Sequence, residues 1–235
     1  MAIEYWFPTS FYYQDLKPPV NVRKEMYDYI KQYEENWICP DCNDPKCDRK
    51  RDNYTGDTSG DYNIANKKPF YWLNSQVKEH CKIYLREAYG VDTNKIDLFV
   101  SKSWPVVCKD GGTVSTHNHI NSHLSIVYYL QYDSNGEGGD LKIHMPWGNP
   151  LGYLPISAYV NDDDRSDAAQ ESIDYEPIEN RLLIFPSSLH HEVEPYKGEV
   201  PRYSVTYDIL ITGKENIDEV DNEMSIIHPT QWGLL

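Results

Sequence analysis

The sequence predicts a mainly β protein in which a small barrel of strands is flanked by helices. The first of three observations is the run SIVYYLQY, Ser125–Tyr132, which is rich in the β-branched and aromatic residues that favour strands. The glycine-rich turn signal Asp133–Gly139 follows it and leads into a second strand, Leu141–Met145. After a long insert, Arg181–Phe185 and Tyr203–Ile211 have the same strand character. We expect these strands to meet in one barrel.

The chain ahead of the barrel is predicted to supply helices and an outer strand. Ile3–Tyr13 is expected to be extended. Asn21–Trp37 is predicted as a helix because its apolar residues recur at spacings of three and four. Leu73–Tyr89 repeats that pattern and stops at Gly90, a residue suited to helix C-termini. Ile96–Val107 then enters the barrel as a strand.

The length of 235 residues is enough for one domain with a sizeable core. We predict a single domain. Residues 1–95 form an N-terminal strand and helices with a cysteine-containing loop, residues 96–212 form the barrel core, and residues 213–235 form a tail. Residues 48–66 and 146–177 are long and rich in charged and turn-forming residues, so we expect them to be loops over the barrel mouth.

The composition argues against several classes of partner. The formal net charge is −15, which disfavours a nucleic-acid or anionic-membrane binder. There is no run of 18 apolar residues, so no segment is predicted to span a membrane. The N-terminus MAIEYWFPTS lacks the basic and long apolar parts of a signal peptide, and an odd number of cysteines, five, suits reduced thiols. We therefore expect a cytoplasmic protein.

A histidine pattern indicates a candidate metal site. Side chains at i and i+2 of a strand share a face, so His117 and His119 would present two imidazoles together. His191, from the distant segment, would complete a facial set with coordination positions left for substrate and oxygen. Imidazole suits zinc, copper, iron and nickel alike, so the ligands alone do not choose the metal. The plain alternative is a chance cluster of histidines in a surface turn.

A basic residue accompanies the histidines. The strand Tyr203–Ile211 would place Arg202, Ser204 and Thr206 on one face. A barrel would bring Arg202 close to His191 and the His-x-His pair. In a cleft, a guanidinium can pair bidentately with a carboxylate, so Arg202 predicts a carboxylate ligand.

With these residues in view, the sequence resembles the Fe(II)/2-oxoglutarate-dependent oxygenases. IVYYLQYDSNGEGGDLKI is similar to the tyrosine strand and Gly-Gly turn of the oxygen-sensing prolyl hydroxylases, and NRLLIFPSSLHHEVEPYKGEVPRYSVTYDI is similar to their distal His-Glu-Val segment and arginine strand. The pattern FPS…H-x-V…R-x-S resembles still more an uncharacterised group of such oxygenases common in phage and bacteria. The resemblance implies a double-stranded β-helix, also called a jelly-roll or cupin-like barrel. A phage-encoded chain would work in the host cytoplasm.

The resemblance also implies roles for individual residues. His191 matches the distal iron ligand, and its neighbour His190 is then not a ligand. Arg202 matches the residue that clamps the distal carboxylate of 2-oxoglutarate, and Ser204 completes the R-x-S pair. Tyr129 matches a tyrosine that contacts the same carboxylate.

The first part of the family's metal motif is where this sequence departs. His117 matches the first ligand of the usual His-x-Asp/Glu, but the carboxylate position holds His119. A three-histidine set is the favoured interpretation; the alternatives are His119 as first ligand with Asn121 or water next, or an oxygen from Asp140. Because imidazole is neutral, the metal site would be one charge unit more positive. We expect that to tighten the hold on 2-oxoglutarate and to alter oxygen activation.

The implied function is an Fe(II)- and 2-oxoglutarate-dependent dioxygenase that uses O2, hydroxylates an unknown protein or small-molecule substrate, and releases succinate and CO2. A peptidyl proline is the first substrate to test. Two alternatives stay open: a three-histidine cupin dioxygenase independent of 2-oxoglutarate, and a non-catalytic phage structural or assembly barrel, because one fold hosts many roles.

A second metal site is suggested by CPDCNDPKC. Cys39, Cys42 and Cys47 form part of a zinc-site pattern, with Cys81 or His80 as a candidate fourth ligand. The sequence has no second C-x2-C pair to complete the usual set. The alternative is that these are reduced cysteines of a loop.

Overall fold

The structure is a computed structural model that describes residues 9–36, 61–146, 170–215 and 226–233. Helix α1 spans Val20–Asn36 and helix α2 spans Tyr71–Tyr89, so both predicted helices are confirmed to within two residues at each end. α2 ends at Gly90, whose φ of +69° is the left-handed conformation that glycine adopts readily. No helix in the described parts of the chain is both long and apolar enough to cross a membrane.

Strands make up most of the remaining regular structure, and those in the described residues are numbered in chain order. They are β1 (Tyr12–Asp15), β2 (Ile96–Cys108), β3 (Val114–His117), β4 (Leu124–Gln131), β5 (Glu137–Gly138), β6 (Leu141–His144), β7 (Ser172–Tyr175), β8 (Arg181–Pro186), β9 (His191–Val193), β10 (Tyr196–Lys197) and β11 (Arg202–Gly213). Short 3-10 helices occupy Ile64–Asn66, Lys68–Phe70 and Pro229–Gln231.

Two antiparallel sheets form the body of the fold. The large sheet has the order β1-β8-β4-β11-β2, the small sheet has the order β3-β9-β6-β7, and β10 pairs with β5 as a separate ribbon. The sheets face each other across a shared apolar layer to which β2, β4, β6, β8 and β9 all contribute. This is the predicted double-stranded β-helix, except that in the described residues the two sheets do not close into a continuous barrel.

The large sheet is covered on its other face by the helices. Met26 and Ile30 of α1 and Val77 and Tyr84 of α2 pack in one buried cluster with residues of β4, β8 and β11. β4 and most of β11 are therefore buried on both faces. β4 is accordingly apolar or aromatic at most positions, whereas β11 alternates apolar residues on the helix side with polar residues on the other side.

Two sequence-based expectations need correction. In the described residues the N-terminal strand is Tyr12–Asp15, so it begins near the end of the predicted segment Ile3–Tyr13 and continues beyond it. The first six residues of that segment fall outside the described part. The insert 146–177 is not only loop, since Ser172–Tyr175 pairs with β6 as an edge strand. Residues 147–169 of that insert and 48–60 of the other predicted loop lie outside the described residues.

Candidate metal centre and adjoining cavity

Three histidines converge between the two sheets. The ring centroids lie 4.4 Å apart for His117 and His191, 5.1 Å for His117 and His119, and 5.1 Å for His119 and His191. One ring nitrogen from each histidine can be chosen so that all lie within 4.8 Å of one another, close enough to share one metal ion. The sequence therefore identified the right three histidines as spatial neighbours.

The reason that His117 and His119 meet differs from the expected one. His117 is the last residue of β3 and pairs directly with His191, the first residue of β9. His119 lies two residues beyond the end of β3, in an irregular segment where its backbone N–H donates to the carbonyl oxygen of Ser187, 2.9 Å. The expectation that one strand holds both histidines is thus wrong, because the strand ends at His117.

Each of the three rings is oriented through its Nδ1 atom. His117 Nδ1 lies 2.8 Å from the carbonyl oxygen of Ser115, and His191 Nδ1 lies 2.9 Å from that of Leu189. His119 Nδ1 lies 2.5 Å from Oδ1 of Asp208. Because carbonyl and carboxylate oxygens accept hydrogen bonds, each Nδ1 donates, and the lone pair of the neutral ring is on Nε2. Metal-binding histidines are held in this way, with Nδ1–H on an oxygen and Nε2 directed to the ion.

His191 is the most deeply buried of the three. Burial, together with the neighbouring His117 and His119, lowers its pKa to about 3, against the opposing hydrogen bond to Leu189. The ring is therefore neutral at physiological pH, which is the form that coordinates metals. His190, the preceding residue, is exposed and outside the cluster, in agreement with the prediction that it is not a ligand.

A cavity of about 560 Å³ opens next to the histidines. Its wall on the large sheet comes from alternate residues of β11, which share a face: Arg202, Ser204, Thr206 and Asp208. Val106, Val127, Leu141 and Val193 add apolar surface to its lining.

Arg202 is the charged residue at this wall. It is 1% exposed, and its Nη1 lies 3.4 Å from Sγ of Cys108. Its guanidinium carbon lies 5.0 Å from the centre of the Tyr129 ring. Within the described residues, Arg202 Nε and the Tyr129 hydroxyl are buried without a hydrogen-bond partner, and no carboxylate forms an ion pair with Arg202.

An unpaired buried guanidinium is costly, so its presence indicates a missing anionic partner. Tyr129 has a pKa raised by burial, an effect that the charge of Arg202 partly offsets, so its hydroxyl keeps a proton to donate. Ser204 is 2% exposed and lies opposite Tyr129 in the pairing of β11 with β4. These three side chains form a pocket suited to one carboxylate.

Some predicted alternatives are not at the centre. Asp140 is not a member of the histidine cluster; burial and nearby carboxylates raise its pKa. Asn121 lines the cavity, but it is exposed and also outside the cluster.

Two residues near the centre were not predicted. Asp208 continues the alternation that begins at Arg202, so extending that face by one more residue would have identified it. Trp104 lines the cavity with its ring centroid 5.6 Å from that of His119.

The predicted zinc site receives no support. Cys39, Cys42 and Cys47 lie outside the described residues. Of the candidate fourth ligands, His80 Nδ1 hydrogen-bonds the Tyr12 hydroxyl at 2.8 Å, and Cys81 is fully buried in the helix layer. Burial raises the pKa of Cys81 to about 12, which keeps its thiol protonated.

Comparison with known families agrees with this geometry. The model of the family described as "Putative 2OG-Fe(II) oxygenase" matches residues 102–208, the stretch that contains the three histidines, Arg202 and Asp208. A search of curated proteins gave no match.

Solved structures show the same fold at low sequence identity. A prolyl hydroxylase from Trichoplax adhaerens, in complex with a peptide of the hypoxia-inducible-factor oxygen degradation domain, is 16% identical, with a TM-score of 0.52 over 85% of this chain and 83% of that one. HygX from Streptomyces hygroscopicus, with nickel and 2-oxoglutarate bound, is 11% identical, with a TM-score of 0.51 over 89% and 84%.

An oxidoreductase of the 2OG-Fe(II) oxygenase family from Burkholderia pseudomallei aligns over 60% of this chain and 55% of its own length, with 14% identity and a TM-score of 0.42. The resemblance to prolyl-hydroxylase-like 2-oxoglutarate oxygenases that the motifs predicted is confirmed.

Proposed function

We propose that this chain is an Fe(II)- and 2-oxoglutarate-dependent dioxygenase. The observation that carries the proposal is the buried Arg202, which has no carboxylate partner among the described residues and lines the same cavity as the three converging histidines. A metal centre alone would not need a buried cation beside it. A metal centre that works with a dicarboxylate would.

The histidines fit the metal. His117, His119 and His191 would bind it through Nε2, because their Nδ1 atoms already donate to oxygens. Three imidazoles suit a first-row divalent ion such as iron and leave other positions for ligands. The apolar lining from Val106, Val127 and other residues reduces the access of water to these positions.

The arginine face fits 2-oxoglutarate. Arg202 would hold the carboxylate remote from the metal, with its unpartnered Nε as one of the donors. The Tyr129 hydroxyl would donate to the same carboxylate, and Ser204 would add a third contact. When bound, iron and 2-oxoglutarate supply oxygen activation and two electrons, and succinate and CO2 are released as a C–H bond of the substrate is hydroxylated.

The primary substrate is proposed at the level of a class to test. The Trichoplax protein is a prolyl hydroxylase bound to a peptide, and a prolyl peptide is accordingly the first candidate here. Likeness of fold does not transfer specificity, so small molecules belong in the same screen. Oxygen uptake without 2-oxoglutarate would instead favour the three-histidine dioxygenase.

The test replaces Arg202 with Met, which keeps the buried stem but removes the charge. Calorimetry with the nickel-loaded protein measures 2-oxoglutarate binding without turnover. Losing a buried ionic partner should weaken binding by more than about 100-fold. The iron-loaded variant should also lose saturable decarboxylation of 2-oxoglutarate.

Arg86→Met is the matched control, because Arg86 is an arginine of α2 whose side chain is 56% exposed. It should bind as the parent does. If Arg202→Met binds 2-oxoglutarate as tightly as the parent, the carboxylate assignment is wrong. A parent protein that binds neither nickel nor iron would leave the non-catalytic barrel as the better interpretation.

A further inference from the structure

A buried carboxylate stands directly behind one of the three histidines. Asp208 Oδ1 lies 2.5 Å from His119 Nδ1, and the two side chains are 8% and 10% exposed. The other two histidines are held by neutral backbone carbonyls, those of Ser115 and Leu189. Among the hydrogen bonds that the described residues make to Nδ1 of these rings, the one at His119 is the one that goes to a carboxylate.

His119 is also the residue at which this chain departs from the usual ligand set. A set of two histidines and one carboxylate reduces the charge of a divalent ion to +1, whereas three neutral imidazoles leave it at +2. Asp208 contributes one negative charge a single imidazole away from the metal position. The local sum of metal, ligands and Asp208 is then +1 again.

We propose that Asp208 is a positioning residue that returns the missing negative charge to the metal centre through His119. The inference rests on the proposed metal site and goes beyond it, because it assigns a role to a residue outside the ligand set. A carboxylate on Nδ1–H makes an imidazole a stronger donor at Nε2. His119 would thereby take over part of the electronic role of the carboxylate that it replaces.

The surroundings of the pair favour this arrangement. The rings of Trp104 and His117 lie near the His119 ring, with centroids at 5.6 and 5.1 Å and interplanar angles of 33° and 26°. Lys102 is opposite Asp208 in the pairing of β11 with β2, but its ammonium lies over the Tyr62 ring, 5.5 Å from the centroid. The ion pair that Asp208 forms among the described residues is therefore with His119 and not with Lys102.

Asp208→Asn tests the charge separately from the shape. The amide oxygen can still accept Nδ1–H, so the ring can keep its orientation while the negative charge is lost. We expect nickel affinity, measured by calorimetry, to fall about 10- to 100-fold. The Fe(III)/Fe(II) midpoint potential should become more positive, because the lost negative charge had favoured the ferric state.

Glu34→Gln is the matched control. Glu34 is also a largely buried carboxylate, 14% exposed, and it accepts a hydrogen bond from Tyr203 on the opposite face of β11. The same loss of charge there should leave nickel affinity and the potential unchanged. If Asp208→Asn binds nickel within twofold of the parent and has the parent's potential, the inference is wrong and the metal site stands. If the parent binds no nickel, the metal site itself is wrong.

A measurement on the unaltered protein decides the matter even if Asp208→Asn fails to fold. In the zinc-loaded parent, a diamagnetic stand-in, long-range ¹H–¹⁵N correlation NMR distinguishes the two nitrogens of each ring. The inference requires a protonated Nδ1 and a metal-bound Nε2 on His119, and an Nδ1–H resonance farther downfield than those of His117 and His191. A metal-bound Nδ1 on His119 would overturn it.

Discussion

The two faces of β11 are both buried, but they differ in whether their buried polar atoms have hydrogen-bond partners. On the face toward the helices, the Tyr203 hydroxyl donates to Glu34 at 2.6 Å and the Tyr207 hydroxyl donates to Asn74 at 3.0 Å. On the face toward the cavity, Arg202 Nε and its neighbour, the Tyr129 hydroxyl, have no partner among the described residues. Buried polar groups are nearly always paired, so two unpaired ones side by side near the cavity and the histidines are consistent with an external ligand there.

The contrast gives a rule for this fold. A polar atom satisfied within the chain contributes to stability, and one left unsatisfied at a cavity is kept for binding. Substitutions on the two faces should therefore separate, with stability lost on one and ligand affinity lost on the other.

The largest effect is expected from His191→Ala. It removes one of three metal donors, so nickel affinity should fall by more than about 100-fold, which exceeds typical losses from residues behind a ligand. His190→Ala, one residue away and exposed, is the control and should bind nickel as the parent does. Equal affinities in calorimetry for His191→Ala and the parent would remove His191 from the site.

A pH effect follows from the same residue in the metal-free protein. The folded-state pKa of His191 is about 3, below its ordinary value of 6.5, so the unfolded chain binds the proton first as pH falls. As pH falls from about 6 toward 3, proton uptake by this residue in the unfolded chain should lower the free energy of unfolding by up to about 1.4 kcal/mol per pH unit. Urea unfolding of the parent and of His191→Phe between pH 7 and pH 4 measures it. A parent no more pH-dependent than the variant would contradict the expectation.

Two tyrosine substitutions compare the faces directly. Tyr129→Phe removes an unpaired hydroxyl, so the free energy of unfolding should hold or rise, while 2-oxoglutarate affinity falls about tenfold. Tyr207→Phe removes the bond to Asn74 and should cost about 1 kcal/mol of stability with no change in affinity. Urea unfolding measures the free energy of unfolding of each variant, and calorimetry measures its affinity for 2-oxoglutarate. If both variants lost stability and neither lost affinity, the rule would fail.

The smallest effect is expected from Ser204→Ala. A single neutral hydroxyl contact is worth about 1 kcal/mol, so 2-oxoglutarate affinity should fall only severalfold. Tyr203→Phe, the adjacent residue on the helix face, should instead reduce stability because Glu34 loses a donor. Calorimetry that finds no difference between Ser204→Ala and the parent would remove Ser204 from the carboxylate pocket without affecting Arg202.

Regular alternation explains what could be predicted from the sequence. β4 and β11 are long enough for the residue pattern to show which side chains share a face. Arg202, Ser204 and Thr206 were for this reason correctly placed together. The same reasoning did not reach β3 and β7, which have four residues each and lack a distinct pattern.

The pairing of His119 with Asp208 could not be predicted, because it depends on an irregular segment and on another sheet. His119 lies in the segment between β3 and β4, and the bond from its N–H to Ser187 holds that segment. Asp208 is 89 residues away in sequence. The contact between the two side chains cannot be predicted from secondary-structure propensity or residue spacing, because it comes from the packing of the two sheets.

The two sheets are separate in their hydrogen bonding, and this has a consequence for the folded chain. His117 and His191 belong to the small sheet, while Asp208 holds His119 from the large one. An ion bound by all three rings would connect the two sheets, which do not otherwise form a continuous barrel in the described residues. A ligand that binds only the native state raises the free energy of unfolding with the logarithm of its concentration. The concentration of available metal would therefore also set the stability of the contact between the two sheets. A cell short of metal would hold a looser chain, one more readily cut by proteases.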